Sequence, residues 1–172
     1  LDERPHAVSF TFGPPPADVV AALHAREIRA WGTVTSAEEA RVAAAAGIDT
    51  LVVQGAEEGG HRALFVDADA EPVPLLPLLA EVAAAVDLPL VAAGGIADGR
   101  SLVAALAAGA VAGQIGTALL LTPEAGTSAA HRGAIARGGA TALTRAFTGR
   151  SARGIANRFL STRRPLPPPT RR

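Results

Sequence analysis

The chain has no cysteine, no methionine, no tyrosine and no lysine, and all 16 of its basic residues are arginine. Thiolate nucleophiles, disulfides, cysteine metal sites and Schiff-base lysines are therefore excluded. Any chemistry must rest on His, Asp, Glu, Arg or a bound cofactor. An excess of charge of one sign is missing too: 16 acidic residues balance the 16 basic ones, and no block of like charge precedes the C-terminal tail. That balance argues against a nucleic-acid partner. No apolar run of about 18 residues escapes interruption by charge, Gly or Pro, so a membrane span is not expected. The N-terminal stretch lacks the charged and apolar regions of a secretory leader, which makes the cytoplasm the expected location. His6, His24 and His131 share no metal-ligand spacing and read as surface or helix residues, so no metal site is expected.

What is present is apolar material for a core, 49% of 172 residues, laid out as short β-branched runs alternating with Ala-rich helical patterns. That alternation is the mark of βα units on a parallel sheet. Strands are expected at residues 7–12, 28–34, 48–53, 88–93 and 110–115. Helices are expected at 17–26, 75–86, 99–108 and 128–137, with a further one between Ser36, a natural N-cap, and Gly47, a natural stop. The segment from 141 to 159 reads as less regular. The stretch after residue 160 carries four prolines and several arginines, and reads as an extended, mobile tail.

Five such strands fit either most of a barrel or an open doubly wound sheet. A complete (β/α)8 barrel takes about 250 residues. On the barrel reading, residues 1–160 are its C-terminal part, about three βα units lie outside this chain, and the sheet edges are exposed and apolar.

Two strands in this pattern end in glycine turns, Gly94-Gly95 and Gly116-Thr117, some twenty residues apart. In a parallel barrel such turns fall on one face, where helix N-termini and bare backbone N–H groups converge into a phosphate cradle. Glycine lets the backbone approach an anion without a Cβ in the way, and the Thr117 hydroxyl adds a donor. Upstream, residues 52–61 read VVQGAEEGGH, a buried strand running into Gln54-Gly55 and then a double glycine and His61. A neutral histidine at that place can take a proton from a carbon acid or orient an anion.

The combination of QGAEEGGH, AAGGIADGR and QIGT in this order, followed by TRAFTGRSARGIANRF at residues 144–159, resembles the nitronate monooxygenase family, formerly called 2-nitropropane dioxygenases. The resemblance runs from Ile28 to Phe159. It implies an α/β fold of the (β/α)8 TIM-barrel type, FMN as cofactor, and oxidation of alkyl nitronates with O2. It also implies His61 as catalytic base or orienting group, and Gln54, Gly55, Gly94, Gly95, Gln114, Gly116 and Thr117 as flavin-binding residues. Nitronate and O2 are the implied partners, and a homodimer is the assembly it allows. Flavin-dependent enoyl-ACP reductases and NADH:quinone reductases share the Gly-Gly-His pattern and stay open as alternatives, as does an inactive remnant that docks onto another chain. The family's first strands cover the flavin, so the activity is expected of a parent protein that carries them, and these 172 residues alone are expected to bind FMN weakly or not at all and to be inactive. An IMP dehydrogenase-like enzyme shares the glycine turns but needs a catalytic cysteine. Two positions depart from the family pattern: Glu58 stands where alanine is usual, and Arg62-Ala63 follows the histidine where glycine is expected. Glu58 is expected to point to solvent.

Overall fold

The computed structural model describes residues 3–67 and 71–162. The proline- and arginine-rich tail expected after residue 160 falls, from residue 163 onward, outside the described residues.

β1 (Ala7–Phe10), α1 (Ala17–His24), β2 (Arg29–Val34), α2 (Ala37–Ala45) and β3 (Thr50–Gln54) open the chain. The second helix begins and ends for a local reason. Ser36 accepts the Glu39 N–H at 3.1 Å and so starts α2. Gly47, at φ +87°, reverses the chain after α2 so that the Ile48 N–H returns to the Ala43 carbonyl at 3.2 Å. A two-residue strand, β4 (Gly60–His61), precedes α3 (Leu75–Ala85), β5 (Leu90–Ala93), α4 (Gly99–Ala107) and β6 (Ala112–Gln114). A 3-10 turn (Thr117–Leu121), α5 (Ala129–Arg137), β7 (Thr141–Thr144), β8 (Ala152–Ile155) and α6 (Arg158–Thr162) complete the described chain.

The main sheet is parallel, and its strand order, β1-β2-β3-β5-β6, follows the chain without reversal. A doubly wound sheet reverses its strand order at a switch point; this one does not, and the open-sheet alternative is set aside. The helices confirm it by sharing one face. Ala30, Val34, Leu51, Val53, Leu90 and Ala92 pack with Val20, Ala43, Leu78, Leu79, Val82 and Ala105 of the helices. The alternate strand residues Trp31, Val52, Val91 and Ala93 form a separate cluster on the other face. That is the inside-outside alternation of a (β/α)8 barrel wall, here in five strands. β1 and β6 are its edges, and beside β6 Val111 is 64% exposed, as an unpaired apolar edge requires.

The segment from 141 to 159 is more regular than its sequence suggests. β7 and β8 form an antiparallel pair, and β8 also pairs with β4, joining Gly60 to Arg153 and His61 to Ala152. Strands of two to four residues carry too little periodicity to be read locally, and the β4–β8 pairing joins positions as far apart as Gly60 and Arg153. Among the described residues, no helix is long and apolar enough to cross a membrane.

Leu78 is fully buried between α3 and the sheet. Leu78→Ala is expected to lower unfolding free energy by about 2–5 kcal/mol, the cost of a core cavity, read as a lower urea midpoint at unchanged m-value.

Candidate active site

Three strands of the wall end on one level. Gln54 of β3 stands beside Ala93 of β5, and Ala93 beside Gln114 of β6. The loops that leave these residues are therefore neighbours: 55–61, the Gly94-Gly95 turn and the Gly116-Thr117 turn. They touch. A Cβ on Gly94 would lie 3.0 Å from the Glu58 backbone nitrogen, and one on Gly59 would collide with the Thr117 hydroxyl. Gly94 and Gly95 also hold φ of +94° and +69°, a region that side chains resist.

The loop is tied down at its start. A Cβ on Gly55 would strike Leu75 at 2.6 Å, so only glycine lets the loop pass the head of α3. There the Glu57 carboxylate accepts the Leu75 N–H at 3.0 Å, capping a helix whose own N-cap, Pro74, has no side chain to do so. Gln54 secures the far end: its Nε2 donates to the His61 carbonyl at 3.1 Å, and its Oε1 accepts the Ala63 N–H at 2.8 Å.

His61 is exposed at the end of this loop, with Nε2 2.7 Å from the Thr148 hydroxyl. The Phe12 ring meets it edge-on at 6.3 Å, and the Arg150 guanidinium lies 4.1 Å above that Phe12 ring. Phe12, Thr148 and Arg150 are site residues that the sequence did not single out. Thr148 lies inside the TRAFTGRSARG run, yet no spacing connects it to a histidine 87 residues earlier; only β8 lying against β4 brings them together.

Glu58 does not point to solvent. It is 3% exposed and faces Arg62, itself 4% exposed, at 3.4 Å. The two departures from the family pattern thus lie against each other. Burial is the main cause that pushes the Glu58 carboxyl up to about 7, against the pull of Arg62. Its Oε1 and the Arg62 Nε are both buried without a hydrogen-bond partner.

The head of α4 is closed on itself, because the Asp98 carboxylate accepts the Ser101 N–H at 2.8 Å and the Ser101 hydroxyl accepts the Asp98 N–H at 3.1 Å. The Ser101 N–H, together with the Ser101 hydroxyl that can donate to the same carboxylate oxygen at 2.9 Å, holds the Asp98 carboxyl below its ordinary value. Among the described residues, no turn, loop or cap hydrogen bond is donated by the N–H groups of Gly94, Gly95, Gly116 or Thr117. Nothing lies within 4 Å of the place a Gly116 Cβ would take. Open space thus lies beside the Gly116 turn, while the Gly94-Gly95 turn is packed against Glu57 and Glu58; N–H groups left bare at such turns can meet an anion. Among the described residues no cluster of His, Asp or Glu is arranged to hold a metal ion.

A model of the nitronate monooxygenase family matches residues 1–167. The chain is 49% identical to a nitronate monooxygenase of Pseudomonas aeruginosa over 173 residues, covering 98% of this chain and 49% of that protein. It is 44% identical to a probable nitronate monooxygenase of Staphylococcus saprophyticus over 159 residues, covering 90% and 45%. Among solved structures, a nitroalkane oxidase from Streptomyces ansochromogenes superposes with a TM-score of 0.89 at 46% identity, over 93% of this chain and 48% of that one. FabK from Thermotoga maritima superposes with a TM-score of 0.76 at 32% identity, over 90% and 48%. The chain spans about half the length of the curated relatives it matches.

Gly94→Ala, which combines positive φ with a close backbone neighbour, is expected to destabilise the protein by more than about 1 kcal/mol. Gly116→Ala, with open space and φ of −112°, is expected to stay within about 1 kcal/mol of the parent. Paired urea denaturation curves compare the two.

Proposed function

This chain belongs to the nitronate monooxygenase family, and from that premise we propose that it carries the cofactor cradle and the proton-handling group of an FMN-dependent oxidoreductase acting on alkyl nitronates with O2. The observation that carries the proposal is the meeting, on one sheet end, of unclaimed N–H donors at Gly94, Gly95, Gly116 and Thr117 with the loop that presents His61.

In this reading those four N–H groups, with the Thr117 hydroxyl, hold the FMN phosphate. Gly55 lets the loop lie close, and Gln114 stands at the strand end beside the cradle. Gln54 serves twice: its carboxamide has two donors and two acceptor lone pairs, and the loop uses one of each. The remaining N–H and lone pair are free to meet the polar edge of a flavin. Bound flavin supplies the two-electron redox chemistry that none of these side chains possesses.

His61 then acts on the substrate proton. Its Nε2 sits against a hydroxyl that can donate or accept, so Thr148 fixes the ring orientation in either tautomer without committing it to a charge. Arg150 lies one aromatic ring away from His61. A guanidinium there favours an anionic substrate such as a nitronate over its neutral nitroalkane parent.

The test is an assay of the protein with a nitronate and O2, and separately with NADH and a quinone. Nitrite release without NADH consumption is expected; NADH oxidation with no nitronate turnover overturns the reading in favour of a reductase. His61→Asn is expected to lower kcat by about a hundredfold or more, and full turnover in that variant removes the role assigned to the histidine. Thr148→Val is expected to lower kcat less than His61→Asn does, because it removes the group that orients the ring and not the ring itself.

A further inference from the structure

Residues 58 and 62 bracket the three-residue segment that ends in His61, and two of those three are glycines. Gly60 has φ of +87° and nothing within 4 Å of its missing Cβ. Such a segment has little stiffness of its own. Its position is set from outside, by Gln54, by pairing with β8, and by whatever keeps Glu58 and Arg62 inside.

The Glu58 pocket is a poor home for a charge. The charged groups facing the carboxyl are Arg62 after β4, Arg153 on β8 and Glu57 on its own turn, and the Gly94 turn after β5 packs against the Glu58 backbone. Arg62 reaches Oε2 only at 3.4 Å. Arg153 spends its guanidinium on the Ala56 carbonyl at 3.0 Å and the Thr141 hydroxyl at 3.3 Å. Oε1 has no partner at all, although it is buried. Desolvation of the carboxylate, with one oxygen unpartnered, outweighs the single long contact to Arg62, and a carboxylate that reaches water gains the hydrogen bonds that the pocket lacks.

We propose that Glu58 is a proton-controlled latch on the His61 loop: with the carboxyl neutral the loop lies closed against β8, and with it ionised the glycines let residues 55–62 lift until the carboxylate is hydrated. The proposal goes beyond the reaction assigned above and needs no flavin or substrate to be tested. Its sign follows from linkage. The buried carboxyl titrates at about 7 and the hydrated one near its ordinary 4.5, so the closed loop binds the proton more tightly. Raising the pH through this window favours opening by up to tenfold per unit, and the effect levels off above about 7.

Amide hydrogen exchange of the protein, corrected for the intrinsic rate at each pH, reads this directly. Between about pH 5.5 and 7.5, protection of residues 55–62 is expected to fall about twentyfold, while α2 and β2 keep theirs. Glu58→Gln, which cannot ionise, is expected to remove the pH dependence. So is Glu58→Ala, which restores the residue of the family pattern and serves if the glutamine variant folds poorly. Wild-type protection of residues 55–62 that does not change with pH overturns the latch, even if neither variant can be prepared. A pH response that survives both substitutions overturns it as well.

Discussion

Gln54, Ala93 and Gln114 stand side by side at the ends of three parallel strands, and that alignment decides where each loop of the site begins. A slip of one residue in any of these strands would turn its interior residues toward the helices. It would also carry a glycine turn away from its neighbour. The register is held by burial on both faces: Leu51, Val53, Leu90 and Ala92 are locked against the helices, while Val52 and Val91 fill the inner side. The core thus does more than stabilise the chain. It sets the level at which donors and histidine meet.

Above that level the site is built from close approaches that only glycine allows. Gly55 lets the loop pass Leu75, Gly94 lets Glu58 lie on the β5 turn, and Gly59 makes room for the Thr117 hydroxyl. The two glycine turns and the histidine loop are consequently parts of one packed unit. A substitution in the cradle at Gly94 is therefore felt in the loop that carries His61. The antiparallel sheet of β4, β8 and β7 completes this unit by placing Thr148 and Arg150 beside the histidine.

Where a charge is buried in this unit, its satisfaction varies. Asp67 is met by two nitrogens of Arg145 at 3.1 and 3.2 Å and by the Ser151 N–H at 3.4 Å. Its carboxylate joins the loop after β4 to the segment before β8. Glu58 has one distant guanidinium contact and an oxygen with none. The difference separates a joint from a strained position, because a buried carboxylate is stabilised only when its lone pairs are filled.

The sequence by itself was enough to determine the strands and helices of the main sheet and the glycine turns at its strand ends. Continuous apolar strands, Ser36 and Gly47 at the ends of α2, and glycine pairs after strands are local signals with local causes, and the quoted motifs together carried the family. The choice between a barrel wall and a doubly wound sheet was not legible, because strand order is a property of how units stack rather than of any one unit. Tertiary structure alone decided the β4-β8 pairing, the Thr148 hydroxyl on His61 and the burial of Glu58 against Arg62. Each depends on contacts made when β8 folds back onto the histidine loop, and a glutamate in a glycine-rich loop reads as solvated until the chain that covers it is in place.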